Sequence, residues 1–342
     1  MDEKRYEEGC SQECECSCSG AEDCGCGCGG TEDCGCGHEE GDKSGHFQGF
    51  VLLNSPEIDL DRIMGRLKEE WGVVPEDDPE EETGEEEGDG PHAEQQCGHE
   101  QGESCGCSCG HSHVHQHSRE QDDPEQDGQE NCGCGEDGTL VFRVGNCLAA
   151  LSLMPAPIPE GEAEYYARAN YMWPEAEEVT KTHQAHILAA VLPHGETAVE
   201  AGKLFTKMVC ACLAEDNAIG VYTSGTVYQP EFYTEVAELM KEDEEELPIL
   251  DWVYLGLYRT GDKNNAYTYG LTAFGRDEIE VVGSGRSLEE LRDFLYQIVC
   301  YVICYDVTLL PGETIGFSEE ERLPITRSKG AALEGDSLKI EY

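Results

Sequence analysis

A chain of 342 residues with 73 acidic and 22 basic side chains carries a net charge of −51. That excess argues against nucleic acid and against anionic membrane surfaces, both of which are held by Lys and Arg. Residues 1–137 hold 39 acidic and 7 basic side chains, net −32, and the other 205 hold 34 and 15, net −19.

Fifteen of the 20 cysteines and 8 of the 11 histidines also precede residue 138. The first 137 residues therefore read mostly as a polar, thiol-rich, acidic tract, and the rest has globular composition. The opening MDEKRYEEGC has no apolar segment of the kind a secretory signal needs. The most apolar stretch, Phe294 to Leu310, is interrupted by Gln297 and Asp306 and is too short for a bilayer. The expectation is a cytoplasmic protein, in which cysteines serve as metal ligands rather than disulfides.

Along the chain, residues 1–45 form a Cys/Gly-rich acidic arm, expected to be disordered because little in it is apolar enough to offset backbone entropy. His46 to Asn54 predicts a strand, and Leu60, Ile63, Leu67 and Trp71 recur at helical spacing. Residues 74–137 read as a disordered acidic Cys/His-rich insertion, far longer than a connecting loop. Leu140–Val144 and Cys147–Met154 predict two strands joined at Gly145-Asn146, and three prolines, Pro155, Pro157 and Pro159, stop the second. Glu162 to Met172 predicts a helix and His186–Leu192 a buried strand. Without the insertion, residues 46–193 follow the ferredoxin-like order β-α-β-β-α-β.

A second set is expected beyond residue 194. Thr197 and Glu200 open a helix through Leu213, Ala218–Tyr222 is a strand, and Pro230 suits the first turn of another helix. Trp252–Arg259, Ala266–Ala273 and Glu278–Gly283 read as strands. Ser287 and Glu290 form a capping box opening a helix to about Cys304, and a short strand is expected near Val307–Leu309. The predicted class is α+β: two fused ferredoxin-like sheet-and-helix halves, spanning 46–73 and 138–330 and split near 194, then a weakly patterned tail at 331–342.

The segments NCLAALSLMPAPIP, NYMWPEAEEVTKTHQAHILAAVLP and AIGVYTSGTVYQPEFY resemble the bacterial domain of unknown function 4261 family. The resemblance covers about residues 49–71 and 139–328 and leaves out both Cys-rich tracts. It implies one cytosolic module and carries over no catalytic residue or ligand.

The chemistry-bearing residues concentrate in the two tracts. Cys10, Cys14, Cys16, Cys18, Cys24, Cys26, Cys28, Cys34 and Cys36 fill the first, ending at His38. Cys97, Cys105, Cys107, Cys109, Cys132 and Cys134 fill the second, with His99, His111, His113, His115 and His117 among them. They contain eight Cys-x-Cys pairs, and intervening glycines let the chain wrap tightly around an ion. Soft thiolates select Zn(II) or Cu(I), and fifteen of them at four per ion would hold roughly three or four zinc ions. Nearby carboxylates disfavour the free thiolate yet attract the cation, whose own charge deprotonates the ligand.

In a ferredoxin-like unit the first two strands run parallel. Both tracts are therefore expected to join the sheet at the same end and share a metal cluster.

Other candidates read as structural. Cys210 and Cys212 lie about 200° apart around a helix, and His183 and His186 should point to opposite faces of a strand. Cys300 and Cys304 share one face of an apolar helix, where core positions are expected. Tyr165, Tyr166, Tyr171 and Trp173 suit either a pocket rim or aromatic packing. No catalytic motif stands out. The functional expectation is a non-enzymatic metal-binding protein. The alternative is an interaction or inhibitory, immunity-like module whose acidic surface steers a basic protein partner.

Overall fold

The computed structural model of the protein describes residues 45–76, 138–243, 245–318 and 321–342. Its first strand, β1 (Phe47–Leu53), ends in a fully buried run because it is paired on both sides and covered on both faces. Asp59 then caps α1 (Leu60–Trp71), its carboxylate accepting the Arg62 amide at 3.0 Å. Ile63, Leu67 and Trp71 enter the core, and Gly72, at φ 65°, closes the helix in the left-handed conformation that glycine permits.

The hairpin β2 (Thr139–Val144) and β3 (Cys147–Met154) follows, as the Gly145-Asn146 turn implies. The helix expected over Glu162–Met172 is shorter. It is α2 (Glu162–Ala167), and a separate α3 (Ala176–Thr180) comes after it. Buried Asn170 explains the break: its amide donates to the Val227 carbonyl at 2.8 Å, and its carbonyl accepts the Met172 amide at 2.8 Å. The chain continues through β4 (Ala185–Leu192) and α4 (Ala198–Leu213), whose N-cap Thr197 accepts the Glu200 amide. Then come β5 (Ala218–Thr223), β6 (Thr226–Tyr228) and α5 (Pro230–Glu242).

These strands form one antiparallel sheet in the order β2-β3-β4-β1-β5-β6. The β-α-β-β-α-β order of elements is present, but the parallel first pair of a ferredoxin-like unit is not. Three antiparallel steps separate β1 from β2, so the two strands run in opposite directions. The division expected near residue 194 also moves, because β5 and β6 hydrogen-bond into the first sheet.

After the short α6 (Ile249–Trp252), the second sheet is built from β7 (Tyr254–Thr260), β8 (Lys263–Tyr269) and β9 (Ile279–Ser284). The capping box at Ser287 and Glu290 opens α7 (Leu288–Cys304). No strand forms at Val307–Leu309. Asp306 turns into the left-handed region at φ 52°, and Arg276 holds the carbonyls of Asp306 and Val307. Three further strands close the sheet: β10 (Thr314–Ile315), β11 (Leu323–Lys329) and β12 (Asp336–Ile340). The order is β10-β11-β12-β9-β8-β7, with β12 parallel to β9. The stretch expected as a tail is thus a sheet strand. Its last residue, Tyr342, stacks on Phe294 of α7 with ring centroids 3.9 Å apart.

One continuous core joins the two sheets. Phe47 packs against Phe205, Trp252 and Phe274 at ring separations of 5.8, 6.4 and 5.4 Å, and the Trp252 indole donates to Thr206 Oγ1 at 2.9 Å. The class is α+β. A smaller cluster, in which α2 and α3 cover Leu52, Tyr222 and Val227, fills the opposite face of the first sheet.

Candidate functional site

The strand register locates both places where the Cys-rich tracts join the fold. Phe47 pairs with Val191, Leu148 with Leu192, and Val144 with Cys147, so these residues share one end of the first sheet. Gly45 lies at this end, against Pro193 and Ala198. The chain also leaves toward residues 77–137 here, because the Glu76 amide donates to the Arg143 carbonyl at 2.9 Å. It returns at Gly138, at the other end of β2. The shared end is therefore that of the first tract's junction and the second tract's departure, not the starts of β1 and β2.

A cleft of about 390 Å³ opens at this end. It is lined by Val73 and Cys147, by Glu196 and Glu200 at the start of α4, and by Lys203 and Lys207 one and two turns on. Asn146 donates to Glu196 Oε1 at 2.9 Å and fixes that carboxylate over the β2–β3 turn. Cys147 is buried, and burial, followed by the charges of Glu196 and Glu200, pushes its thiol upward. The thiol is thus protonated at neutral pH and is not an activated nucleophile. A soft cation would reverse that balance, because the same carboxylates attract it.

A second cleft, about 340 Å³, lies beside Asp59, Arg62, Glu215 and Asn217. Here buried Glu215 receives Arg66 Nη1 at 2.6 Å, Arg62 Nε at 3.0 Å and a further bond from Arg62 Nη2. This satisfied carboxylate ties α1 to the end of α4.

The two histidines after α3 pin the loop that precedes α2. His183 accepts the Ile158 amide at Nε2 (2.8 Å) and faces the Thr180 carbonyl with Nδ1 (2.5 Å), which defines the neutral Nδ1–H tautomer. His186 Nδ1 lies 2.9 Å from the Ala156 carbonyl. The aromatic residues pack rather than line either cleft: Tyr166 stacks on Tyr222 (5.5 Å), Tyr222 on Phe50 (5.8 Å), and Trp173 is buried. Tyr165 and Tyr171 remain exposed.

The domain's own cysteines divide by environment. Cys210 and Cys212 are buried; burial pushes Cys210 well above the usual thiol range and, with Glu215, pushes Cys212 up to about 12. Cys300 is half-buried and Cys304 exposed, so the core position expected for the pair fails at Cys304, which lies at the end of α7.

Every expected metal ligand, from Cys10 to His38 and from Cys97 to Cys134, lies outside the described residues. Among the described residues no three His, Cys, Asp or Glu side chains cluster to hold a metal ion. None of their helices is long and apolar enough to cross a membrane. Sequence reasoning missed Cys147 with Glu196 and Glu200, which only the register brings together. It also missed Asp251, whose signal was available: a carboxylate inside the apolar run PILDWV.

Neither a curated protein nor a solved structure matches the chain. A family model described as Domain of unknown function (DUF4261) matches residues 267–341. That span overlaps the end of the expected region, runs on through β12, and excludes the three segments quoted for the resemblance. Over these residues, which run from β8 to β12, the chain is similar to the DUF4261 family.

Proposed function

We propose that this is a non-enzymatic cytoplasmic protein that binds soft metal ions, Zn(II) or Cu(I), through its two Cys-rich tracts. One observation carries the reading: fifteen of 20 cysteines fall within residues 1–137, in eight Cys-x-Cys pairs interleaved with glycine and bordered by histidine. The folded domain supports it indirectly. The first tract joins at the end of the first sheet where the second departs. Glu196 and Glu200 beside Cys147 add carboxylates there that attract cations.

The test is metal analysis of the full chain after expression without chelator and dialysis, with variants lacking residues 1–44 or carrying a short linker for 77–137. Roughly three or four zinc ions per chain are expected at four thiolates each. Losses on deletion that exceed a simple sum would mean a shared cluster, and simple addition would mean independent tracts. Absence of retained metal would overturn the proposal. It would favour the second reading, an interaction module for a basic partner, which draws on the net charge of −19 over residues 138–342.

A further inference from the structure

Asp251 lies in α6, in the core between the two sheets, with 1% of its surface exposed. Neither carboxylate oxygen has a hydrogen-bond partner, and the hydroxyls of Tyr228, Tyr233 and Thr226 are buried and unpartnered as well. The titratable groups facing it are Tyr228 from β6, Tyr233 from α5 and Cys210 from α4. Each is pushed upward, first by burial and next by Asp251 itself. The rings of Tyr228 and Tyr233 meet edge to face at 5.9 Å. Lys241 acts on Cys210 of the cluster and sits over the Trp71 ring at 4.1 Å.

An ionised carboxylate in such a place needs an ion pair or several donors, and Asp251 has neither. The protonated acid suits it. It carries no charge, so it avoids the cost of an unpaired carboxylate in the core. Burial accordingly drives the carboxyl far above the usual carboxylate range.

We propose that Asp251 is a proton-binding site of the folded domain, carried as the neutral acid in the core between the two sheets, so that the chain takes up one proton there on folding. An unfolded Asp ionises near about pH 3.9. Above that value the folded state binds one more proton than the unfolded state. This group then lowers the folding constant about tenfold per pH unit, until Asp251 ionises within the fold.

The experiment compares folding constants of the full chain and Asp251→Asn between pH 4 and 8, with chelator present so that bound metal contributes nothing. The ratio of variant to wild type should climb about tenfold per pH unit from near pH 4, with the variant the more stable at pH 7. A ratio that stays flat, or a wild type more stable at pH 7, overturns the proposal. If the variant does not fold, infrared spectra of the Glu278→Gln chain decide, since among the described residues Glu278 is the other carboxyl that burial pushes upward. A protonated-acid carbonyl band at pH 7 that vanishes on unfolding supports the proposal, and carboxylate bands alone overturn it.

Discussion

Glu280→Gln should destabilise the domain by about 3 kcal/mol, a figure that follows from the donors converging on one buried carboxylate. Glu280 is 0% exposed at the second position of β9. It accepts the Ala332 amide at 2.7 Å, the Ala331 amide at 3.0 Å, the Ser337 hydroxyl at 2.7 Å and the Lys339 ammonium at 2.8 Å. All four donors lie on the β11–β12 turn or on β12, so one side chain clamps the closing hairpin. Charge-assisted bonds of this kind contribute about 1.5–3 kcal/mol each, and removing one member of a buried pair costs about 3–5 kcal/mol. Gln keeps one acceptor oxygen but turns an amide NH₂ toward the remaining donors, which places it at the lower end of that range. Urea unfolding at about 2–3 kcal/mol per molar should show the midpoint falling by roughly 1–1.5 M. The pH dependence is a second readout. Burial raises the Glu280 carboxyl, but Lys339, the two amides and Ser337 outweigh it and hold it below the ordinary value. Its contribution is therefore complete above about pH 4.3 and is lost as pH falls through the lower folded-state value. Gln should flatten that acid limb. A loss under about 1 kcal/mol with the acid limb unchanged would refute the clamp.

Gly270→Ala should cost more than about 2 kcal/mol, because φ is 128° and a Cβ would sit 2.2 Å from the Trp252 carbonyl oxygen; an unchanged melting temperature would refute this. Burial depresses His186, so its contribution is complete above about pH 6.5 and fades as pH falls toward the lower folded value; His186→Gln should flatten that limb in pH-resolved unfolding. Peptide-mapped alkylation of the native chain should modify Cys304 well before Cys210 or Cys212, whose labelling should track global unfolding; early labelling of Cys212 would contradict its burial.

What the sequence shows of the fold depends on how apolar each element's inward face is. Helices α1, α4 and α7 are legible because capping residues and apolar spacing agree: Asp59, Thr197 and Ser287 each accept the amide three residues on. Strands β1, β3 and β4 are inner strands with unbroken apolar runs. By contrast, β11 buries only Ile325, and one inward residue of β12 is Ser337, satisfied by a carboxylate across the sheet. Hydrophobic periodicity cannot register a strand whose partner is Glu280. The strand order was hidden for another reason. A β-α-β-β-α-β string is compatible with several sheets, and the choice lies in long-range pairing of β1 with β4 and β5. The cleft at Cys147 inherits that limit, since Glu196 reaches it only through the placement of β3 beside β4.

Three buried carboxylates show how the same chemistry serves opposite ends in this core. Glu215 lies against two guanidinium groups, and Glu280 against an ammonium, two amides and a hydroxyl. For both, the solvation lost on burial is replaced by protein donors, so the charged form belongs in the fold and neutralising substitutions remove a bond network. Asp251 has no donor, and its neighbours are phenols and a thiol that share its reluctance to ionise. The amide that weakens the domain at 280 should therefore strengthen it at 251. Burial alone predicts one sign for both positions. Only the count of donors around each oxygen separates them, and that count places the folded domain's proton at Asp251.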